Sequence, residues 1–159
     1  MLMENWRTKL DDVDICILKE LQQEGRISNV ELARRVQLSP PSVLQRVRRL
    51  EETGLIRDYV TRLNPSVIGL RLTVYVHVSV TLSSDKPIES FRKAIKDIPE
   101  VLECHQVSGE YDFLLKVVAE DMSAYERLVR ENLALIKGIG KIYSSFVIQT
   151  SKDTTVLPL

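Results

Sequence analysis

The sequence is poor in cysteine and histidine, with two of each among its 159 residues. Cys16 and Cys104 are far apart and form no CxxC pair, so the sequence lacks a redox motif and a metal knuckle. We expect both to be buried thiols. His77 and His105 show neither metal-ligand spacing nor a partnered nucleophile, and we expect both to be ordinary sheet residues. The sequence therefore predicts no catalytic residue, no metal site and no cofactor.

Long apolar runs and excess charge are absent too. No segment approaches the roughly 18 uncharged apolar residues that a membrane helix needs, and the N-terminal residues lack the apolar run of a signal peptide. We therefore expect a cytoplasmic protein without a membrane partner. The 22 basic residues equal the 22 acidic ones, which argues against a chain that coats nucleic acid indiscriminately.

The basic charge is nevertheless concentrated in one stretch. No acidic residue lies between Arg34 and Arg49, although carboxylates flank the stretch on both sides. Five arginines fall within it, namely Arg34, Arg35, Arg46, Arg48 and Arg49. A local cluster of this kind is the electrostatic feature that a nucleic-acid-binding surface requires.

Two helices are predicted before and within this stretch. The first begins after Asp11 or Asp12, either of which can act as N-cap, and ends near Gly25. The second begins at a predicted capping box, in which the Ser28 hydroxyl and the Glu31 carboxylate each accept the other's free amide. It is expected to end at about residue 36.

A third helix follows after a linker of about three residues. Ser39 is its predicted N-cap and Pro40 its first helical residue, where a missing N–H costs nothing. The helix is expected to reach Thr53 and to stop at Gly54. Its apolar positions recur at helical spacing and face inward, at Val43, Val47 and Leu50.

The outward face of the third helix is suited to reading DNA in the major groove. Gln45 can make a bidentate contact with adenine, and Arg48 or Arg49 can bind guanine or phosphate. The predicted DNA-binding residues are Ser39, Pro41, Ser42, Gln45, Arg46, Arg48 and Arg49. The alternative is a solvated arginine-rich surface, but the caps, the short linker and the glycine stop together favour a helix-turn-helix.

The remainder of the chain predicts a ferredoxin-like α+β domain. Strict alternation between Leu72 and Leu82 indicates a long strand, and helical or β-rich segments follow it in the order β-α-β-β-α-β. The later segments are Pro87 to Ile98, Val101 to Ser108, Tyr111 to Ala119, Met122 to Leu133 and Ile139 to Thr150. Helices cover one face of such a sheet, so the other face predicts a homodimer.

We place the boundary between two domains at Asn64-Pro65, giving a helix-turn-helix domain over residues 1–64 and a ferredoxin-like domain over 65–159. The segment from Leu55 to Leu63 alternates weakly and is expected to form a short strand or wing.

Several stretches resemble the Lrp/AsnC, or feast/famine, family of transcription regulators. The likeness is carried by GRISNVEL from Gly25, LSP from Leu38, RVRRLE from Arg46, ECHQVSGEYDFLLK from Glu103 and DMSAY from Asp121. The resemblance implies a winged helix-turn-helix over Asn29 to Arg48 and a RAM-type effector-binding domain. It also implies dimers that assemble into a higher oligomer such as an octamer, and an amino-acid effector such as leucine or methionine.

By this resemblance the effector binds where dimers meet, near a turn formed by Ser108, Gly109, Glu110, Tyr111 and Asp112. Asp112 can accept from the ligand's ammonium, and amides around Gly109 can donate to its carboxylate. The residues alone also fit a plain β-turn with an exposed acid. Glu110 departs from relatives that often carry Asp, which puts the ligand preference in doubt.

We therefore expect a sequence-specific regulator of amino-acid-related genes that binds double-stranded DNA and an amino acid. The first alternative is an architectural DNA-bending protein without an effector, which would show no amino-acid-dependent change in DNA affinity. The second is a metabolic enzyme, which the lack of a partnered nucleophile or metal-ligand set opposes.

Overall fold

The computed structural model describes residues 10–81 and 87–159. The chain folds into two compact units, one formed by Met1–Arg62 with Lys152–Leu159 and the other by Leu63–Ser151. The expected second domain ran to residue 159, whereas the last segment belongs to the first unit. Within the described ranges, no helix is both long and apolar enough to cross a membrane.

The described part of the first unit contains three helices, and the residue just before each helix caps it with its side chain. The helices are α1 (Asp12–Gln23), α2 (Asn29–Arg35) and α3 (Pro40–Glu52). Their N-caps are Asp11, Ser28 and Ser39. Of the two candidates for the first cap, Asp11 is therefore the one used, and the predicted start of α3 at Pro40 is confirmed.

The capping box lies on α1 and not on α2. Asp14 N–H donates to Asp11 Oδ1 at 2.8 Å, and Asp11 N–H donates back to Asp14 Oδ2 at 3.3 Å. Ser28 Oγ accepts from Glu31 N–H at 3.1 Å, which is only half of the predicted box. The Glu31 carboxylate instead accepts two hydrogen bonds from Arg34 and one from Arg35, and these hydrogen bonds lower the Glu31 pKa to about 2.

The turn between α2 and α3 sets the two helices against α1. Gln37 adopts a left-handed conformation at φ 55°, which reverses the chain between Arg35 and Pro40. Asn29 Nδ2 donates to Pro40 C=O at 2.8 Å and so links the first residues of α2 and α3. The helices share one buried apolar core, formed by Ile17, Leu18, Leu32, Ala33, Val43 and Leu50.

The segment expected to be a short strand or wing, Leu55 to Leu63, does not form a strand. Residues 57–64 have no regular secondary structure, because no strand among the described residues lies beside them to supply a hydrogen-bond ladder. Tyr59 ties the segment to α3 by donating from its hydroxyl to Glu51 Oε1 at 3.0 Å. The pKa of Tyr59 is raised to about 12, mainly by burial and to a smaller extent by this hydrogen bond.

The second unit is an antiparallel four-stranded sheet with its helices on one face. Its strand order is β2-β3-β1-β4. The elements are β1 (Leu72–Val80), α4 (Pro87–Lys96), β2 (Val101–Gln106), β3 (Phe113–Ala119), α5 (Met122–Glu131), a 3-10 turn (Leu133–Leu135) and β4 (Ile139–Phe146). This arrangement confirms the predicted βαββαβ order. The predicted end of β1 at Leu82 lies outside the described residues.

Alternation along β1 decides which face of the sheet is buried. Val74, Val76 and Val78 are fully buried against the helices, whereas Tyr75 is exposed and His77 is partly buried on the opposite face. The same core contains Phe91 of α4, Phe113 and Leu115 of β3, and Tyr125 and Leu128 of α5. One sheet face is therefore packed, and the other faces away from the helices.

The expectation of two buried thiols is wrong, since Cys16 and Cys104 are both exposed. Cys16 lies on α1 next to the buried Ile17, but the turn of the helix directs the two side chains differently and leaves Cys16 facing solvent. Cys104 lies on β2, which is an edge strand and so has a neighbour on one side only. Partial burial still raises the pKa of the Cys104 thiol.

The C-terminal residues complete the first unit. The Gln22 side chain of α1 donates to Leu157 C=O at 3.2 Å and accepts from Leu157 N–H at 2.6 Å. Arg62 pairs with Asp153 at 2.6 Å. Leu159 packs against the helical core, whereas the Leu157 side chain is largely exposed. The segment is thus held by its backbone at Leu157 and by its side chain at Leu159.

We predict that Leu159→Ala lowers the melting temperature of the first unit by about 4 to 8 °C, because losing a partly buried leucine costs about 1 kcal/mol in a domain of this size. Differential scanning calorimetry measures the transition. Leu157→Ala is the matched control, since its backbone makes the contacts and its side chain is exposed. Equal shifts in the two variants would contradict the packing of Leu159.

Candidate functional site

Helix α3 presents a polar and basic face on the surface of the first unit. Val43 and Leu50 bury its opposite face, which leaves Pro41, Ser42 and Gln45 exposed on the outside. The N-cap Ser39 is exposed as well, and its hydroxyl lies 2.8 Å from that of Ser42. An open groove runs along this face, lined by Leu38, Pro41, Ser42, Leu44, Gln45, Arg46, Arg48, Arg49 and Glu52.

Two of the predicted DNA-binding arginines are engaged in ion pairs with α1. Arg46 Nη1 contacts Asp11 Oδ2 at 2.6 Å and Asp14 Oδ1 at 2.8 Å, and Arg49 Nη2 contacts Asp14 Oδ2. The side chain of Arg46 is 28% exposed and that of Arg49 is 52% exposed. Arg46 is therefore occupied by the protein itself, whereas Arg49 keeps part of its guanidinium in solvent.

Arg48 differs from both. It is exposed, and within the described residues it has no ion-pair partner. Its positive charge is uncompensated, so it attracts a phosphate more strongly than an arginine already paired with a carboxylate. The backbone hydrogen bond from Asp14, followed by the side-chain hydrogen bond from Arg46, keeps the pKa of Asp11 below its usual value.

The predicted effector turn is the loop between β2 and β3. Ser108, Gly109 and Glu110 are exposed at its tip and form bends without a hydrogen-bonded turn. Gly109 has a φ of 128°, a conformation that side chains disfavour. A ligand on so open a loop needs a second surface to bury it.

Asp112 fastens the loop to the end of β1. Its backbone N–H donates to Val78 C=O at 3.0 Å, and its carboxylate Oδ2 accepts from Val80 N–H at 2.7 Å. Its C=O accepts from Val107 N–H at 2.9 Å and so closes the base of the loop. One carboxylate oxygen is thus used within the fold, and the other accepts no hydrogen bond from the described residues.

Tyr111 joins an aromatic cluster on the outer face of the sheet. Its ring centroid lies 5.3 Å from that of His77 and 6.3 Å from that of Tyr143. Opposite residues across the strands form one row on this face, running His105, Leu114, His77 and Tyr143. The loop is therefore continuous with the outer face of the sheet.

Metal chemistry has no support in the described part of the chain, where no three His, Cys, Asp or Glu side chains are grouped to hold an ion. His77 and His105 lie on β1 and β2, as expected of sheet residues.

Comparison with known proteins assigns a family to both units. Residues 10–57 match a winged helix-turn-helix DNA-binding domain, and residues 73–157 match the Lrp/AsnC ligand binding domain. The leucine-responsive regulatory proteins of Klebsiella pneumoniae and Escherichia coli are each 43% identical over 148 residues, covering 93% of this chain and 90% of the relative. The chain belongs to the Lrp/AsnC family. It is accordingly a DNA-binding transcription regulator and not an enzyme.

Solved structures of relatives support the assignment. A transcriptional regulator from Neisseria meningitidis in complex with L-methionine is 40% identical with a TM-score of 0.90, covering 94% of this chain and 96% of its own. A feast or famine regulatory protein from Mycobacterium tuberculosis, complexed with L-methionine, is 30% identical with a TM-score of 0.84, covering 93% and 98%. The Lrp/AsnC fold therefore extends over nearly the whole chain.

Sequence reasoning found the outward face of α3 but missed how its charges are used. Arg46, Arg48 and Arg49 are equivalent as sequence letters, and only the contacts of Asp11 and Asp14 distinguish them. The spacing of Asp11 and Asp14 matches a second capping box, and this was the available signal that the two carboxylates lie together at the start of α1. The contributions of Val80 and Tyr143 to the loop region depend on strand pairing and had no local signal.

We predict that Arg48→Ala weakens DNA binding about tenfold and makes its salt dependence shallower, since one free cation on the exposed face is lost. The melting temperature of the protein is expected to stay unchanged. Fluorescence anisotropy at several salt concentrations measures the binding.

Arg46→Ala provides the contrast. It removes a partner from the buried Asp14 and is expected to destabilise the first unit by about 2 kcal/mol or more, because breaking a buried pair leaves an uncompensated charge. Loss of stability in Arg48→Ala, or none in Arg46→Ala, would contradict these roles.

Proposed function

We propose that this regulator reads specific DNA sequences with α3 and that a bound amino acid, such as leucine or methionine, modulates its assembly and DNA affinity at amino-acid-related genes. The observation that carries the proposal is the pairing of an outward polar and basic face on α3 with an open, carboxylate-bearing loop at Asp112. A regulator of this kind works in the cytoplasm, beside the chromosome.

DNA reading is assigned to the exposed residues of α3. Ser42 and Gln45 offer a hydroxyl and an amide to base edges, Arg49 offers the free part of its guanidinium, and Arg48 contacts phosphate. Ser39 and Pro41 lie exposed at the start of the helix, where the Ser39 hydroxyl can donate to a phosphate. Arg46 is assigned no direct contact with DNA, because its ion pairs with Asp11 and Asp14 hold α3 against α1.

Effector binding is assigned to the loop from Ser108 to Asp112. The free oxygen of Asp112 accepts from the ligand's ammonium, and exposed N–H groups near Gly109 donate to its carboxylate. The relatives from Neisseria meningitidis and Mycobacterium tuberculosis that bind L-methionine support an amino-acid ligand. Because the tip is open, burial of the ligand requires a neighbouring subunit, which links binding to assembly.

Assembly begins with the outer face of the sheet, which carries Tyr75, His77, Leu114 and Tyr143. Tyr75 and Tyr143 are exposed in the single chain. Aromatic residues of this kind are enriched where protein surfaces meet, and a second copy of the sheet is the simplest cover. Four such dimers then meet near the effector loops to form an octamer.

We predict that Tyr143→Glu converts the dimer to a monomer at micromolar concentration, because it introduces like charges into a buried aromatic surface on both subunits. Analytical ultracentrifugation of the full chain gives the mass. Leu135→Glu is the control, since Leu135 is equally apolar and exposed but belongs to the 3-10 turn. A Tyr143→Glu protein that stays dimeric would refute the sheet-to-sheet interface.

Sensing is tested with Asp112→Asn, which keeps an oxygen for Val80 N–H but removes the charge. Thermal-shift screening of the twenty amino acids first identifies the effector. Its affinity is then expected to fall at least tenfold in the variant, since hydrogen bonds to charged groups contribute about 1.5 to 3 kcal/mol. Basal DNA binding is expected to persist. Isothermal titration calorimetry measures the affinity.

Glu120→Gln is the matched control, because it removes an exposed charge at the other end of β3. Equal affinities in Asp112→Asn and wild type would move the effector site elsewhere. Absence of any saturable amino-acid response in the wild type would favour the architectural DNA-bending alternative.

A further inference from the structure

Asp14 is a buried carboxylate held between two arginines of the DNA-reading helix. It is 1% exposed, although it lies on the surface helix α1. Its Oδ1 accepts from Arg46 Nη1 at 2.8 Å, and its Oδ2 accepts from Arg49 Nη2. Oδ2 also accepts from Asp11 N–H at 3.3 Å, so both oxygens are in use. No other charged residue of the described chain is buried.

The two arginines that bind this carboxylate keep different fractions of their own side chains exposed. Arg46 has a second carboxylate partner in Asp11 at 2.6 Å and is mostly covered. Arg49 has one partner and keeps half of its side chain exposed. Arg46 and Arg49 are three positions apart and share one face of α3. The same carboxylate thus anchors α3 through Arg46 and orients the partly free guanidinium of Arg49.

We propose that Asp14 is a positioning residue that sets the sequence specificity of DNA binding by fixing the orientation of Arg49. This inference rests on the proposed role of α3 in reading DNA. A guanidinium that reads guanine must present two N–H groups in one plane to O6 and N7. Holding one edge of that plane on Asp14 leaves the other edge oriented before DNA arrives, which lowers the ordering cost on binding.

Specific and non-specific binding make opposite demands on Asp14. Non-specific binding depends on positive charge near phosphates and needs no fixed side-chain geometry. Asp14 weakens it, because its negative charge offsets part of the charge on Arg46 and Arg49. Specific binding needs the geometry that the carboxylate imposes. Removing the charge of Asp14 therefore separates a positioning role from a purely structural one.

The test measures the affinity of Asp14→Asn for two DNA duplexes. One is selected by the wild-type protein from a random-sequence library, and the other is a scrambled duplex of the same length and composition. We expect affinity for the selected duplex to fall at least tenfold, while affinity for the scrambled duplex stays unchanged or rises. The salt dependence of binding to the scrambled duplex is expected to become steeper.

Asp12→Asn is the matched control. Asp12 is exposed on the same helix and has no ion-pair partner in the described part of the chain, so the variant makes the same charge change without touching α3. Its ratio of specific to non-specific affinity is expected to equal that of the wild type. An equal fall in this ratio for Asp12→Asn would overturn the proposal, since charge alone would then explain the effect.

Arg49→Lys tests the same arrangement with Asp14 intact, so it decides the matter even if Asp14→Asn fails to fold. Lysine keeps the charge but lacks the planar fork, and we expect the same loss of specificity. Equal loss of both affinities in a folded Asp14→Asn, or an unchanged ratio in Arg49→Lys, would overturn the positioning role. If the wild type selects no sequence, the proposed sequence-specific function fails, and this inference fails with it.

Discussion

The ion pairs of Asp14 with Arg46 and Arg49 connect the stability of the first unit to the surface that it offers to DNA. A buried carboxylate costs several kcal/mol of solvation, so it persists only when charged partners occupy its oxygens. Those partners come from α3, which ties the recognition helix to α1 by charge as well as by the apolar contacts of Val43 and Leu50. The basic face of α3 is consequently less basic than its three arginines indicate, and of these Arg48 is the one without an ion-pair partner among the described residues.

The second unit depends on a different constraint, which is the two-residue period of its strands. One face of the sheet is buried by valines, leucines and aromatic rings under α4 and α5. The opposite face keeps aromatic residues that remain exposed among the described residues, and the loop between β2 and β3 is continuous with that face through Tyr111. The surface proposed for a second copy and the loop proposed for an amino acid therefore adjoin on the same unit, an arrangement that would couple a ligand to assembly.

Asp112 serves the fold and, in the proposed function, a ligand as well. One carboxylate oxygen accepts from Val80 N–H at the end of β1, and the other is the one assigned to the ligand's ammonium. A residue fixed in this way binds with little loss of side-chain entropy, since the fold has already ordered it. The same reduction in entropy loss is proposed for Arg49, whose guanidinium donates to Asp14 before any DNA is bound.

Local patterns in the sequence determined the elements of this protein: the caps at Ser28 and Ser39, the start of α3 at Pro40, the alternation of β1 and the βαββαβ order all depend on residues close together in the chain. Tertiary structure decided what depends on distant residues. It paired Asp14 with arginines more than thirty positions away, returned Leu159 to the helical core, and exposed Cys104 by placing β2 at the sheet edge. It also left residues 57–64 without a strand partner in the described part of the chain. Hydrogen-bond caps and side-chain periods act over a few residues, whereas ion pairs, edges and burial are set only when the whole chain has folded.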